Sequence, residues 1–425
     1  MASIYYKTSM KVPVMPLFTL FSLRILPFSL FLLFIQTTFA QDEFTSYLFA
    51  YFTGNNISQE AIRFALSDDG HNFKALNHND PVINSADISE MGGVRDPHIL
   101  RGENNDYYMV VTDMVSAKGW SSNRGLVLLK SENLVDWSSS AINITHTFSK
   151  YSTADRVWAP QVIYDPDVGK YMVYFAMRLG GNDRDRIYYA YADSSFTELE
   201  TEPEVLFEYK NMSAIDADII YLDGIYHLFF KTEGSGNGIK KATSDKLTEG
   251  YVLYDTYLQL TSEAVEGSSV FKLINSDTYV LMYDVYMSGR YEFALSTDLK
   301  NFSHDPEPIS FDFTPRHGTI IPITEKEKRD LNRRWNPTAT ISRKESSKQC
   351  IFSNNLNGNT VSFQVNDVSD NGSISIFNAA GKEVCKKSLF KKTALLHLTY
   401  LPAGVYQAVY SNGTGMKNNI RFVIR

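Results

Sequence analysis

Asp96-Pro97-His98-Ile99-Leu100, Tyr107-Tyr108-Met109-Val110-Val111, Leu128-Leu129-Lys130-Ser131 and Trp137 make up one unit of the pattern that decides the fold. An apolar strand is followed by a polar turn and an aromatic-rich strand. A third strand then runs into a Ser/Asp turn closed by an aromatic or apolar residue. The plan recurs on both sides. Tyr47-Leu48-Phe49-Ala50-Tyr51-Phe52 leads to Arg63-Phe64-Ala65-Leu66-Ser67-Asp68-Asp69-Gly70 and Phe73, and later units open at Trp158-Ala159-Pro160-Gln161-Val162, Asp216-Ala217-Asp218-Ile219-Ile220 and Glu266-Gly267-Ser268-Ser269-Val270. The openings of the last four units lie about fifty to sixty residues apart, the size of a four-stranded blade. A lone blade cannot bury both faces of its sheet, and stacking blades around an axis does so while leaving only short edges. The pattern therefore predicts an all-β chain whose residues 41–335 form a five-bladed β-propeller, with Thr319-Ile320-Ile321-Pro322-Ile323 available to close the ring. The alternative is a β-sandwich of similar hairpins, and the repeated order within every unit argues against it.

The composition fits, with 26 Tyr and 27 Phe among 425 residues. The net charge of −7 is unevenly spread: residues 1–40 carry three bases and no acid, and residues 343–425 carry eleven bases and four acids, leaving −17 on residues 41–342. So acidic a central region lacks the clustered Lys and Arg that phosphate contacts need, so no nucleic-acid partner is expected and a neutral or weakly charged substrate fits better. At the N-terminus Lys7, Lys11 and Arg24 precede the apolar run Ile25–Ile35 and the small-residue stretch Thr38-Phe39-Ala40, which reads as a cleaved export signal over residues 1–40. An uncleaved anchor is the alternative; the run is short and is interrupted by Pro27. The only cysteines, Cys350 and Cys385, lie near the C-terminus, and the sequence leaves open whether they pair.

Laid over one another, the units place Asp96, Ala159, Asp216 and Glu266 at one level. In a propeller the first strand of each blade lines the central channel, so these positions converge near the axis. Carboxylates focused on one pocket repel each other, and some must hold their protons more tightly. Glycoside hydrolysis needs that arrangement: one carboxyl protonated toward the leaving oxygen, another ionised to act on water or the sugar. Taken singly, each of these acids reads as a solvated turn residue.

The openings Val94-Arg95-Asp96-Pro97-His98-Ile99, Val157-Trp158-Ala159-Pro160-Gln161, Ile215-Asp216-Ala217-Asp218 and Val265-Glu266-Gly267, with Pro315-Arg316-His317-Gly318-Thr319, resemble glycoside hydrolase family 43 over residues 44–325. The resemblance implies an inverting enzyme with Asp96 as general base, Glu266 as general acid and Asp216 tuning and orienting the acid. Asp218 rivals Asp216 but falls two residues out of register, and Ala217 stands where the family usually has Pro. The resemblance also places His317 at an axial position, either near a calcium ion reached through water or hydrogen-bonded within the core; no other cofactor is implied. Trp158 is either a platform for a sugar ring or a wall of the channel. Arg95 and Arg316 either bind sugar hydroxyls or pair with the carboxylates. The implied activity is release of a terminal pentofuranosyl or similar unit from plant-type polysaccharide, foremost α-L-arabinofuranosidase, with β-D-galactofuranosidase and β-xylosidase close behind. A retaining fructan-active enzyme also carries Arg-Asp-Pro but uses an acid in its first blade, where Tyr47-Leu48-Phe49-Ala50 offers none. A surface glycan-binding propeller without catalysis is the rival from another class.

Thr324-Glu325-Lys326-Glu327 has capping-box spacing and predicts a short helix. Residues 336–349 read as a linker. Residues 350–425 read as a small β-sandwich-like domain, through Ile376-Phe377-Asn378-Ala379-Ala380-Gly381 and Leu401-Pro402-Ala403-Gly404-Val405-Tyr406. With the final strand Phe422-Val423-Ile424-Arg425, these resemble the sorting domain of the type IX secretion system of Bacteroidetes. That resemblance implies secretion machinery as a partner and a secreted or outer-surface location; an accessory carbohydrate-binding domain is the alternative.

Overall fold

A computed structural model describes residues 43–234, 236–336, 360–364, 372–389, 393–398, 401–411 and 417–424. The expected export signal, most of the linker and Cys350 lie outside the described residues. Residues 43–234 and 236–324 form a predominantly β array of small sheets, antiparallel except where Ser310–Phe311 runs parallel to Asn72–Ala75, as β-propellers do. One sheet holds Val94–Arg101, Tyr107–Asp113, Gly125–Ser131 and Ser138–Asn143 in chain order. The next three follow the same plan and begin with Arg156–Asp165, Ala214–Leu222 and Glu266–Lys272. In the remaining sheet Phe44–Tyr51 lies between Arg63–Ser67 and Gly318–Thr324, with Leu48 opposite Ile321.

That last sheet corrects the alignment of the first unit. Its inner strand is Gly318–Thr324 from the far end of the array, and Phe44–Tyr51 is its second strand, matching Tyr107–Asp113. Gly318–Thr324, Val94–Arg101, Arg156–Asp165, Ala214–Leu222 and Glu266–Lys272 touch one another in a closed cycle. Joining the two ends of the array in one sheet pairs strands that would otherwise be exposed edges.

Both faces of the sheets are buried, which explains why the strands read as near-continuous apolar runs. Tyr108 and Val110 pack toward Val173 and Phe175 of the following sheet. Their neighbours Met109 and Val111 pack the other way, with Leu48, Phe64 and Ile323. The turns after the third strands share one device: Asp69, Asn133 and Asp298 each accept two backbone N–H groups, as from His71 and Asn72 at 2.8 Å. Such Asx turns are why Ser and Asp recur there. The helix Glu325–Trp335 begins with the expected capping box between Thr324 and Glu327 and buries Leu331 and Trp335. Beyond it, Glu383–Leu389, Gly372–Asn378, Gly404–Ser411 and Lys417–Ile424 form a sheet, and Thr360–Gln364 pairs with Thr393–His397.

Four inner strands carry a β-bulge at the same level, between Arg95 and His98, Trp158 and Gln161, Ile215 and Asp218, and Glu266 and Ser269. One residue in each is left-handed: Asp96 (φ 51°), Ala159 (43°), Asp216 (51°) and Gly267 (63°). The structural equivalent of Asp96 and Asp216 is thus Gly267, and Glu266 stands one residue earlier, level with Arg95, Trp158 and Ile215. This corrects the expected register of Glu266. A glycine meets a positive φ without the cost that a Cβ brings. A Cβ on Gly267 would also lie 2.8 Å from His317 Cγ. Gly267→Ala is therefore expected to lower the urea unfolding midpoint further than Gly224→Ala, where an added Cβ meets nothing within 4 Å. Close-packing against His317 puts the difference at about 1–3 kcal/mol, and equal midpoints would contradict it.

Candidate active site

A bulge leaves backbone N–H groups without ladder partners, and here polar side chains of neighbouring strands take them up. Ala159 N–H donates to Thr112 Oγ1 at 2.9 Å, Gly267 N–H to Asp216 Oδ2 at 2.9 Å, and Val270 N–H to Asp218 Oδ2 at 2.6 Å. These bonds fix the carboxylates in place. At this end of the ring a cavity of about 510 Å³ is lined by Arg95, Asp96, Trp158, Asp216, Glu266, Arg316 and His317. All of the residues assigned a role from the sequence line that one pocket, and Asp218, the rival for Asp216, does not.

The two carboxylates at the bulges differ in proton affinity. Burial pushes the Asp96 carboxyl up, but His317, Arg95 and the hydrogen bond from Thr112 Oγ1 (2.8 Å) outweigh it and hold the group below its ordinary value. Asp96 is therefore ionised at neutral pH. Asp216 goes the other way: burial, with the charges of Glu266 and Asp96, outweighs His317 and Lys231 and lifts it to about 6. Glu266 pairs with the Arg316 guanidinium, whose Nε also donates to the fully buried Asp284 at 2.6 Å. Arg316 is thus the carboxylate partner, the second of its two expected roles. Arg95 behaves alike: its NH1 donates to Glu60 at 3.0 Å and to Asn55 at 2.9 Å.

His317 is buried, with Nδ1 facing Asp96 Oδ1 across 3.5 Å. Burial would lower its pKa, but Asp96, Asp216 and Glu266 together raise it to about 9, so the ring is a cation at neutral pH. Among the described residues no group of three or more His, Cys, Asp or Glu side chains is placed to hold a metal ion. Calcium prefers a cage of oxygen ligands, and a protonated imidazole is a poor fit for it. His317 thus stands as the ion-pair partner of Asp96. Asp218 does not line the pocket; it lies buried behind it, 3.9 Å from His98 Nε2, and burial lifts it to about 7. His98 stays neutral, lowered to about 3 by burial and the charge of His317, and its Nδ1 accepts the Val162 N–H at 3.3 Å.

Trp158 lines the pocket with one face already occupied: the Arg156 guanidinium lies 4.2 Å over its ring. Several pocket residues escaped the sequence reading. Asn55, Trp120, Glu233, Tyr286 and Met287 sit on loops between strands, where repeat alignment gives no register. Thr112, Lys231 and Asp284 had a signal, being polar residues at the same level of otherwise apolar second strands, opposite Arg95, Ile215 and Glu266. Lys231 is buried, paired with Glu233, and its charge acts on Asp216.

Carboxylates of opposed proton affinity in one pocket, on an all-β frame, define the class: an acid–base site of the kind glycosidases use. A family model described as "Probable glycosyl hydrolase domain", related to glycoside hydrolase family 43, matches residues 42–329. The chain belongs to this family, whose members hydrolyse glycosidic bonds. A curated relative, the alpha-L-arabinofuranosidase of Bifidobacterium longum subsp. longum, is 28% identical over 233 residues, covering 47% of this chain and 20% of the relative. The chain therefore aligns with about a fifth of that relative's length. Among solved structures, the endo-1,4-beta-xylanase of Bacteroides thetaiotaomicron matches with a TM-score of 0.47 at 16% identity, covering 64% of this chain and 93% of that one. An alpha-L-arabinofuranosidase of Clostridium thermocellum matches at 0.45 and 14%, covering 65% and 92%.

Asp218 gives the stability of this site a defined pH dependence. Its folded pKa of about 7 lies above the ordinary 3.8, so it contributes stability that is fully present below the lower value and is lost as pH rises through the upper one. Asp218→Asn keeps a carbonyl to accept the Val270 N–H but cannot ionise. Its melting temperature relative to the wild type is expected to climb between about pH 4 and 8. A difference that stays flat with pH would contradict the buried, proton-retaining Asp218.

Proposed function

We propose that this chain is a five-bladed β-propeller glycosidase that inverts configuration while releasing a terminal pentofuranosyl unit from plant-type polysaccharide, as an α-L-arabinofuranosidase. The observation that carries the reading is the split between Asp96, kept ionised, and Asp216, raised to about 6, in the pocket that also holds Glu266. An ionised carboxylate suits the base: Asp96 takes a proton from water as the water oxygen attacks the anomeric carbon. Glu266 gives its proton to the departing glycosidic oxygen, and Asp216, which accepts the N–H of the adjacent Gly267 at 2.9 Å, holds the backbone beside it in place. The Arg316 guanidinium, held by Asp284, orients the Glu266 carboxyl. Family membership and the name of the curated relative support the substrate class.

Export through the N-terminal apolar run, and type IX sorting through the C-terminal β-module, belong to the same proposal. A secreted enzyme acting on insoluble plant material would use both.

The test is release of 4-nitrophenol from the α-L-arabinofuranoside, β-D-galactofuranoside and β-D-xyloside. The arabinofuranoside is expected to turn over best. Asp96→Asn should cost about 10²–10⁴-fold in kcat, the range for loss of a general base. Glu266→Gln should cost less on this activated leaving group than on a natural glycoside, because 4-nitrophenolate departs with little protonation. An Asp96→Asn enzyme within a few-fold of wild type would overturn the assignment.

A further inference from the structure

We propose that Trp120 forms the subsite for the sugar on the leaving-group side of the cleaved bond, so that the pocket reads two units of a chain; this rests on the glycosidase reading above. The pocket has a closed end and a mouth. At the closed end the side chains of Asp96, Arg316 and His317 are 15%, 16% and 7% exposed. At the mouth Trp120 is 48% exposed. A sugar whose anomeric carbon lies at the carboxylates fills the closed end, and the unit it is cut from then lies at the mouth, which Trp120 lines together with the still more exposed Met287.

A single exposed aromatic residue needs no special explanation. Trp120 differs because its loop is fixed on both sides by charged groups. Before it, Ser116 N–H donates to the buried Glu60 at 2.9 Å, and Ser116 Oγ donates to Asn55 O at 2.9 Å. After it, Arg178 clamps Ser121 Oγ at 2.8 Å while holding Asp155 at 2.7 Å. The ring itself is supported by the Arg95 guanidinium, 5.2 Å from its centroid, and meets Trp158 edge-on at 6.2 Å and 80°. A supported ring on an anchored loop gives up little conformational freedom when a sugar stacks on it, which is how aromatic platforms gain affinity. Trp158, read from the sequence as either platform or wall, is the less exposed of the two rings; each has a guanidinium over it, Arg156 at 4.2 Å and Arg95 at 5.2 Å, so exposure is what separates them.

The experiment compares wild type, Trp120→Ala and Trp120→Phe on two substrates that present the same sugar to the closed end. α-L-Arabinofuranosyl fluoride has nothing beyond the cleaved unit, and α-1,5-linked arabinotriose has a further sugar there. Trp120→Ala is expected to lower kcat/KM on the triose by about tenfold or more and on the fluoride by a much smaller factor, with Trp120→Phe near wild type on both. Equal losses on both substrates would overturn the proposal, since Trp120 would then act through Trp158 or Arg95; so would no loss on either. If the wild type turned over neither substrate, the glycosidase reading would fail on its own terms, and calorimetric titration with the triose would decide the subsite. Binding lost in Trp120→Ala would support it; binding unchanged, or absent from the wild type, would overturn it.

Discussion

The bulge repeated across four inner strands is the constraint on which the rest depends. A flat strand would send alternate side chains into the two inter-sheet cores and leave none at the end of the ring. One extra, left-handed residue at a fixed level re-aims the chain there. Asp96, Ala159 and Asp216 accept positive φ values that L-residues ordinarily avoid, at a cost of order 1–3 kcal/mol each. The strain persists because the surroundings determine it: the packed sheets hold the strands, and the freed N–H groups are taken up by Thr112, Asp216 and Asp218. Gly267, the fourth of these residues, meets the conformation without strain and leaves room for His317 beside it.

Electrostatics follows from that geometry. Three carboxylates brought to one pocket must be compensated, and the cations come from elements far apart in the chain. His317 and Arg316 arrive with the strand that closes the ring, and Lys231 comes from a second strand. The result is graded. Asp96, bonded by Thr112 and facing the His317 cation, keeps its charge, while Asp216 and Asp284 are each lifted to about 6 by burial. A pocket with one carboxylate held ionised and others that titrate near pH 6 suits acid–base chemistry.

Much of this was legible in the sequence. Runs such as Tyr107–Val111 showed strands buried on both faces, and the Ser/Asp turns marked where third strands end. The equivalence of Asp96 and Asp216 followed from repeat register alone. The parts missed have physical reasons. Glu266 read as level with the other acids because the true equivalent, Gly267, has no side chain to mark it. The first unit was aligned one strand out because its inner strand comes from residues 318–324, which no local pattern ties to residue 44. Trp120 and Glu233 lie on loops, outside any repeat. Lys231 and Asp284 left a trace, a charged residue ending an apolar strand, that becomes meaningful only when the strands are seen side by side.

As the proposed base, Asp96 acts on water and not on the sugar itself. Proton NMR of the reaction mixture, recorded before the free sugar mutarotates, tests it most directly. The first sugar released is expected to have the anomeric configuration opposite to that of the substrate. Release with retained configuration would mean that a carboxylate attacks the sugar, and would contradict Asp96 as the base.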